Sequence, residues 1–180
     1  MTENEKTSIS KYMSLILRHE PGRIGLTLDM NGWANTDELI EGMNRDGCCV
    51  TMEKLKEVVE TNDKQRFKFN DGYDKIRANQ GHSVFVDLEL AETSPPAVLY
   101  HGTASRFVQS IQKEGLTAKS RMYVHLSGDP ETAAKVGKRH GEPVVLKVGS
   151  GRMHADGHKF YLSENNVWLT ASVPVEYIEQ

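Results

Sequence analysis

Ile9, Tyr12, Met13 and Ile16 fall at i, i+3, i+4 and i+7, the apolar stripe of an amphipathic helix, and Pro21-Gly22 ends the pattern. Thr7 or Ser8 is placed to cap its start. Asn35, with Glu38 three residues on, resembles a capping box for a second helix that carries Leu39, Ile40 and Met43 and meets Gly47 just past its end. The spacing predicts a third helix from Thr51 through Met52, Leu55, Val58 and Val59. The pattern then turns strand-like: Arg66-Phe67-Lys68-Phe69-Asn70 alternates strictly, and Asp71-Gly72 favours a type I′ hairpin turn. Three helices followed by a hairpin read as a winged helix-turn-helix. That architecture often reads nucleic acid and also serves protein contacts, so it does not decide function by itself.

Thr93-Ser94-Pro95-Pro96 marks a boundary between the apolar segment Val84–Leu90 and a fresh strand-like run, Ala97–Tyr100. Beyond it, strands are predicted at Val98–His101, Met122–Ser127, Val144–Val148, Val167–Ala171 and Val173–Ile178. Two helices interrupt them, Ala104–Glu114 stopped by Gly115, and one from Pro130 to about Arg139 with Asp129 as N-cap. Strands outnumber helices, so the expected class is α+β, with one lobe over residues 1–92 and a second over 97–180.

Composition narrows the possibilities. A chain of 180 residues that is 38% hydrophobic can bury a core, and its length suits two lobes of about 90 residues. No apolar run reaches the roughly 20 residues that span a bilayer, and the polar start Met1-Thr-Glu-Asn-Glu-Lys is unlike a signal peptide. A soluble, cytoplasmic, monomeric protein is expected. Cys48 and Cys49 are adjacent and lack zinc or redox spacing, so they read as buried small side chains. His154 and His158 have half of a zinc spacing without a cysteine pair, which reads as surface histidine rather than metal site. Net charge is −3, with 12 Lys+Arg against 17 Asp+Glu in residues 1–92 and 10 against 8 in residues 93–180. That balance argues against a broad basic surface for nucleic acid, so any RNA site must rest on a few placed cations.

The chemistry-bearing residues sit at element ends. Gly149-Ser150-Gly151 follows a strand but lacks the third glycine of a dinucleotide fingerprint and an apolar helical face after it, and no P-loop is present. Arg18 and His19 end the first helix, Arg66 begins the hairpin, and Arg121 precedes the strand around His125. Each of these also fits an ordinary structural role, such as complementing a helix dipole. Alternation places Arg121, Tyr123, His125 and Ser127 on one face and Met122, Val124 and Leu126 on the other, a basic, aromatic and hydroxyl face unusual for a core. His101-Gly102-Thr103 ends a strand where glycine lets a ligand approach the backbone, while Thr103 can serve simply as a helix cap.

Taken together, the segments resemble the RNA 2′-phosphotransferase family. They are Ser10-Lys-Tyr-Met-Ser-Leu-Ile-Leu-Arg18-His19, Gly32-Trp33, Lys64-Gln-Arg66-Phe67, Gly81-His82-Ser83, Leu99-Tyr-His101-Gly-Thr103, Tyr123-Val-His125-Leu-Ser127 and Asn166-Val-Trp-Leu-Thr170. Any one is weak; their order and spacing across the chain make the match specific. The resemblance implies a winged-helix RNA lobe joined to an ADP-ribosyltransferase-like lobe. It implies a catalytic Arg-His-Arg-Arg set on Arg18, His19, Arg66 and Arg121, and an NAD⁺ pocket lined by His101, Gly102, Thr103, His125 and Ser127. NAD⁺ would be consumed as co-substrate, the partner would be RNA carrying a 2′-phosphate, and no metal would be needed. Many ADP-ribosyltransferases carry a glutamate on a late strand; the corresponding stretch here reads Asn165-Asn166-Val167-Trp168, which lowers the odds of ordinary protein ADP-ribosylation. Two alternatives stand beside this reading: an ADP-ribosyltransferase that caps terminal phosphates of RNA or DNA, and a non-catalytic winged-helix binding module.

Overall fold

In a computed structural model, which describes residues 1–179, Thr2 opens the first helix, α1 (Glu3–Arg18). Its hydroxyl accepts from the Glu5 amide while the Glu5 carboxylate accepts from the Thr2 amide. This reciprocal capping box satisfies two amide donors and starts the helix about a turn before Thr7 or Ser8, which lie inside it. Asn35 caps α2 (Thr36–Arg45) through the Glu38 amide, and Thr51 caps α3 (Met52–Glu60) through the Lys54 amide. The strands β1 (Ala34–Asn35), β2 (Phe67–Phe69) and β3 (Lys75–Ala78) form an antiparallel sheet in the order β1-β3-β2. The hairpin between β2 and β3 exists, but its turn is not the two-residue type I′ turn expected at Asp71-Gly72. Residues 71–74 form a longer loop in which Tyr73 takes the positive φ (58°), closed by the Asn70 amide on the Lys75 carbonyl and by Asn70 Nδ2 on Asp74. Met13, Ile16, Leu17, Leu39, Met43, Leu55 and Ile76 fill the core beneath.

The chain divides between Glu89 and Leu90 into two compact units. In the second, Glu92 bridges Tyr161 and the Thr93 amide donates to the Phe160 carbonyl. Its elements run β4 (Leu99–Ala104), α4 (Ser105–Glu114), β5 (Leu116–Thr117), β6 (Val124–Leu126), α5 (Pro130–Gly137), β7 (Pro143–Val148), α6 (Ser150–Ala155), β8 (Phe160–Leu162), β9 (Trp168–Thr170), β10 (Ser172–Val173) and β11 (Ile178–Glu179). Every pairing is antiparallel, in three small sheets ordered β11-β7-β4, β6-β9-β8 and β10-β5. Reciprocal bonds between Tyr100 and Ser127 tie β4 to the end of β6. The whole is a mixed fold of six α-helices and small antiparallel sheets among the described residues.

Several expectations are corrected here. The strand predicted over Val173–Ile178 is interrupted, because Pro174 leads into a single 3₁₀ turn at Val175–Tyr177. Gly149 is followed by a short helix after all, α6, whose buried Met153 supplies the apolar contact; the dinucleotide fold still fails, since β7 has only antiparallel neighbours. Cys49 is exposed and Cys48 half-buried, so they are not a buried pair. Among the described residues no helix is long and apolar enough to cross a membrane, and no group of three or more His, Cys, Asp or Glu is placed to hold a metal.

Candidate functional site

Arg18 ends α1 and is buried to 9% exposure, an unusual position for a guanidinium. Its guanidinium carbon lies 5.9 Å from the centroid of the Phe67 ring at the start of β2. Beneath it is Gly81, at φ +90°, where an added β-carbon would sit 3.5 Å from Arg18 Nη1. The Arg18 carbonyl, freed by the end of the helix, accepts from the Ser83 amide at 2.9 Å and the Val84 amide at 3.4 Å. His19, the C-cap, is half-buried, and its Nδ1 meets Ser83 Oγ at 2.9 Å.

The same loop reaches the third residue of the set. Arg66 directs Nη1 to Asn62 Oδ1 at 3.4 Å, and Asn62 Nδ2 donates to Ser10 Oγ on α1. The Asn79 amide donates to the Arg66 carbonyl at 2.9 Å, and Asn79 Nδ2 bonds the carbonyl of Gln65, which is held at φ +42°. Residues 79–83 therefore brace Arg18, His19 and Arg66 from below, joining the end of one helix to the start of a strand. His82 lies at the centre, 2% exposed, with neither ring nitrogen hydrogen-bonded among the described residues. Burial first, and then the charges of Arg18, His19 and Arg77, depress its pKa to about 4, so His82 is neutral at pH 7.

The second unit assembles its own set. Arg121 Nη1 lies 3.2 Å from His125 Nδ1. A guanidinium only donates, so Nδ1 of His125 is the acceptor and its proton sits on Nε2. The His125 carbonyl accepts from His101 Nδ1 at 3.1 Å, which fixes the opposite tautomer on His101 and leaves its Nε2 as an acceptor. Burial and, secondarily, the nearby His140 outweigh that hydrogen bond and lower the His101 pKa. Desolvation and then the charge of Arg139 likewise lower Arg121, which remains a cation. Val124 and Leu126 are buried while Tyr123, His125 and Ser127 are half-buried, as the alternation requires.

Gly102 and Thr103 need a different account from the one their sequence suggests. A β-carbon on Gly102 would lie 1.7 Å from the Ala133 carbonyl oxygen, and one on Gly137 would lie 2.4 Å from the Thr103 carbonyl oxygen. Both glycines are present because α5 packs backbone to backbone on β4, so any ligand at Gly102 meets its peptide group and not a space on its α-carbon. Thr103 is buried inside β4, and Ala104 stands at the N-cap of α4 without a side-chain bond, so Thr103 caps nothing.

Ser83 and Asn79 support the candidate residues and His82 is buried between them; their sequence context assigns no such part, since Ser83 meets His19 and Asn79 reaches back to Gln65 and Arg66. The available signal is three polar side chains within four positions, Asn79, Gln80 and His82 around Gly81, buried just past a strand end, where polar groups are placed only for a reason. Arg139 and His140 near the second set were likewise masked as part of a basic run, Lys138-Arg139-His140.

Comparison with known proteins bears on both sets. Residues 4–172 match the family model described as RNA 2′-phosphotransferase, Tpt1/KptA family. The chain is 59% identical over 179 residues to a "Probable RNA 2′-phosphotransferase" of Flavobacterium johnsoniae, covering 99% of this chain and 98% of that protein. Proteins of the same name from Rhodopirellula baltica and Fusobacterium nucleatum are 52% and 51% identical, covering 98% and 95% of this chain and 96% of each relative.

Proposed function

Because the chain belongs to the RNA 2′-phosphotransferase, Tpt1/KptA family, we propose that it transfers an internal RNA 2′-phosphate, of the kind left at a tRNA splice junction, to NAD⁺ as co-substrate. The first unit then acts as a winged-helix RNA lobe and the second as an ADP-ribosyltransferase-like lobe. The observation that carries this reading is the Arg18-His19-Arg66 set braced by one loop, a preorganised group of donors with a polar tether on the imidazole.

A phosphate monoester is mostly dianionic at pH 7, so the RNA 2′-phosphate attacks ribose C1″ of NAD⁺ without a general base. The new O–C1″ bond forms as the C1″–N bond breaks, and its electron pair leaves with neutral nicotinamide. Positive charge develops on the ribose in this step. His101 and His125, held neutral in fixed tautomers, suit that charge better than a cation would, and together with Gly102, Thr103 and Ser127 they form the NAD⁺ contact set.

In the second step the ribose 2″-hydroxyl attacks phosphorus of the phospho-ADP-ribosyl RNA, and the bond from phosphorus to the RNA 2′-oxygen breaks. Negative charge collects on the phosphoryl oxygens and the leaving oxygen, where Arg18, Arg66 and Arg121 offer forked donors. The proton lost from the 2″-hydroxyl is balanced by one delivered to the RNA 2′-oxygen, and His19 supplies it. The products are RNA with a free 2′-hydroxyl, nicotinamide and ADP-ribose 1″,2″-cyclic phosphate.

The test is incubation of the protein with NAD⁺ and an oligoribonucleotide carrying one internal 2′-phosphate, with products resolved by mass. The cyclic phosphate must appear in step with 2′-hydroxyl RNA. A stable ADP-ribosylated end on terminally phosphorylated RNA, with no cyclic phosphate, assigns the capping activity instead. Consumption of neither substrate overturns the enzymatic reading.

A further inference from the structure

Beyond Ser83 the burial of successive residues alternates. Ser83, Phe85, Asp87 and Glu89 are exposed, Val84 and Leu88 are half-buried, and Val86 is buried. The chain bends at Ser83 and Val84, and Phe85 follows the bend directly. The segment is fixed at both ends: the Ser83 and Val84 amides bond the Arg18 carbonyl, the Asp87 amide donates to the Met30 carbonyl at 2.7 Å, and Asn31 Nδ2 donates to the Asp87 carbonyl at 2.9 Å. Phe85 is nevertheless 89% exposed. A lone exposed apolar side chain needs no explanation, but this one stands on a braced backbone, two residues from the hydroxyl that holds His19.

We propose that Phe85 is a stacking platform for one nucleobase of the RNA strand beside the 2′-phosphate, an inference that rests on the phosphotransferase reading above. Two residues of chain span at most about 7 Å, roughly two base steps of a stacked strand, so the ring lies within reach of a base adjoining a phosphate held by Arg18 and His19. Every base presents a π-face, which makes such a contact tolerant of sequence. Asp87 and Glu89, both exposed, follow Phe85 along the chain and repel a phosphate backbone. The strand therefore leaves the segment after Phe85, and one base is held rather than a track of several. This fits a chain of net charge −3, which cannot hold RNA by a broad basic surface and gains from a contact that salt does not screen.

The experiment measures KM for three single-stranded oligoribonucleotides with one internal 2′-phosphate: intact, abasic on its 5′ side, and abasic on its 3′ side. The full chain is compared with Phe85→Ala and Phe85→Trp. In the wild type, removal of one particular neighbouring base raises KM by between about 5- and 150-fold. Phe85→Ala raises KM for the intact oligonucleotide by a similar factor and no longer distinguishes it from that abasic one. Phe85→Trp keeps the distinction, and its added indole emission is quenched by the intact oligonucleotide, without NAD⁺, and not by the matching abasic one. Phe85→Ala that discriminates both abasic sites as the wild type does overturns the platform, as does a change of oligomeric state in Phe85→Ala, which would assign the ring to a second copy of the chain. If no 2′-phosphate is released from any oligonucleotide, the phosphotransferase reading fails, while the fluorescence titration still decides whether Phe85 stacks on RNA.

Discussion

In the first unit the Arg18 guanidinium is buried and the His19 imidazole meets a serine hydroxyl; in the second, burial favours neutral His101 and a guanidinium donates to His125. The contrast follows the charge each step develops under the proposed reaction. Guanidiniums, which stay cationic, suit a phosphoryl group gathering negative charge and would oppose a ribosyl centre gathering positive charge. Neutral histidines in opposite tautomers give polar contacts without that opposition. The two sets also differ in construction. The first depends on one loop, residues 79–83, whereas the second depends on direct packing of β4 against α5.

The largest expected effect breaks the comparison most directly. Arg18→Ala or Arg66→Ala should remove about 3 to 4 kcal/mol of stabilisation from the second step, roughly 10²- to 10³-fold in rate, with less effect on nicotinamide release. Phospho-ADP-ribosyl RNA then accumulates in a single-turnover time course. His101→Ala or His125→Ala should instead raise KM for NAD⁺ and slow the first step. Arg121 is the sharpest case, since it is a cation that sets the His125 tautomer; Arg121→Ala should show both defects, and Arg121→Lys should restore neither fully. Uniform slowing of both steps by every substitution would erase the distinction between the sets.

The next effect concerns the loop under the first set. His82 titrates near 4 when folded and near 6.5 when unfolded, so the unfolded chain binds the extra proton between those values. Stability is therefore full above about pH 6.5 and falls as pH drops toward 4, by about 3 kcal/mol in all and about 2 kcal/mol by pH 5. Denaturant unfolding at pH 7 and pH 5 should show that loss in the wild type and a smaller one in His82→Gln. If the variant does not fold, a ring titration of His82 in the wild type by NMR decides the same point, and a midpoint near 6.5 would refute it.

A somewhat smaller loss is expected in the second unit. The β-carbon of Gly102→Ala collides with backbone at Ala133, which no side-chain rotation relieves, so overpacking should cost about 2 kcal/mol. Thermal unfolding of the variant should start at lower temperature, and NAD⁺ binding should weaken, while the His82 transition of the first unit keeps its pH dependence. A variant with unchanged unfolding would mean that α5 shifts readily on β4.

How far the sequence disclosed these features depended on distance along the chain. The caps at Asn35 and Asp129 were legible because an N-cap and its amide partner lie three residues apart, whereas Thr51, read as the first residue of its helix, is the cap. The alternation around His125 was legible because a strand period needs no knowledge of the partner strand. Thr2 was overlooked since its capping box precedes the apolar stripe that drew attention to Thr7 and Ser8. Ser83 and His19 are 64 positions apart, and no local pattern announces their contact. Gly102 showed the need for a missing side chain but not which backbone fills the space.

The smallest effect sharpens the comparison most, because it tests whether the first set is poised for proton transfer and not only for charge. Ser83 Oγ stands 2.9 Å from His19 Nδ1 and 3.5 Å from the Arg18 carbonyl. A hydroxyl that donates toward that carbonyl accepts from Nδ1–H, which favours the proton on Nδ1 and leaves Nε2 to exchange a proton with substrate. It also stabilises the charged ring, since both nitrogens then carry protons and Nδ1–H keeps its acceptor. Ser83→Ala removes the acceptor without disturbing the backbone bond from the residue 83 amide to Arg18, so the loop and Arg18 should stay in place. Losing one hydrogen bond to a charged group costs about 1.4 kcal/mol, about tenfold in the second step. The alkaline limb of its pH–rate profile should move to lower pH, because the ring gives up its proton more readily. Ser83→Thr should restore both, and KM for RNA should change little in either variant. A purely structural serine would lower thermal stability and leave the pH profile where it was, and that outcome would remove Ser83 from the proton-transfer account while leaving Arg18 and Arg66 in theirs.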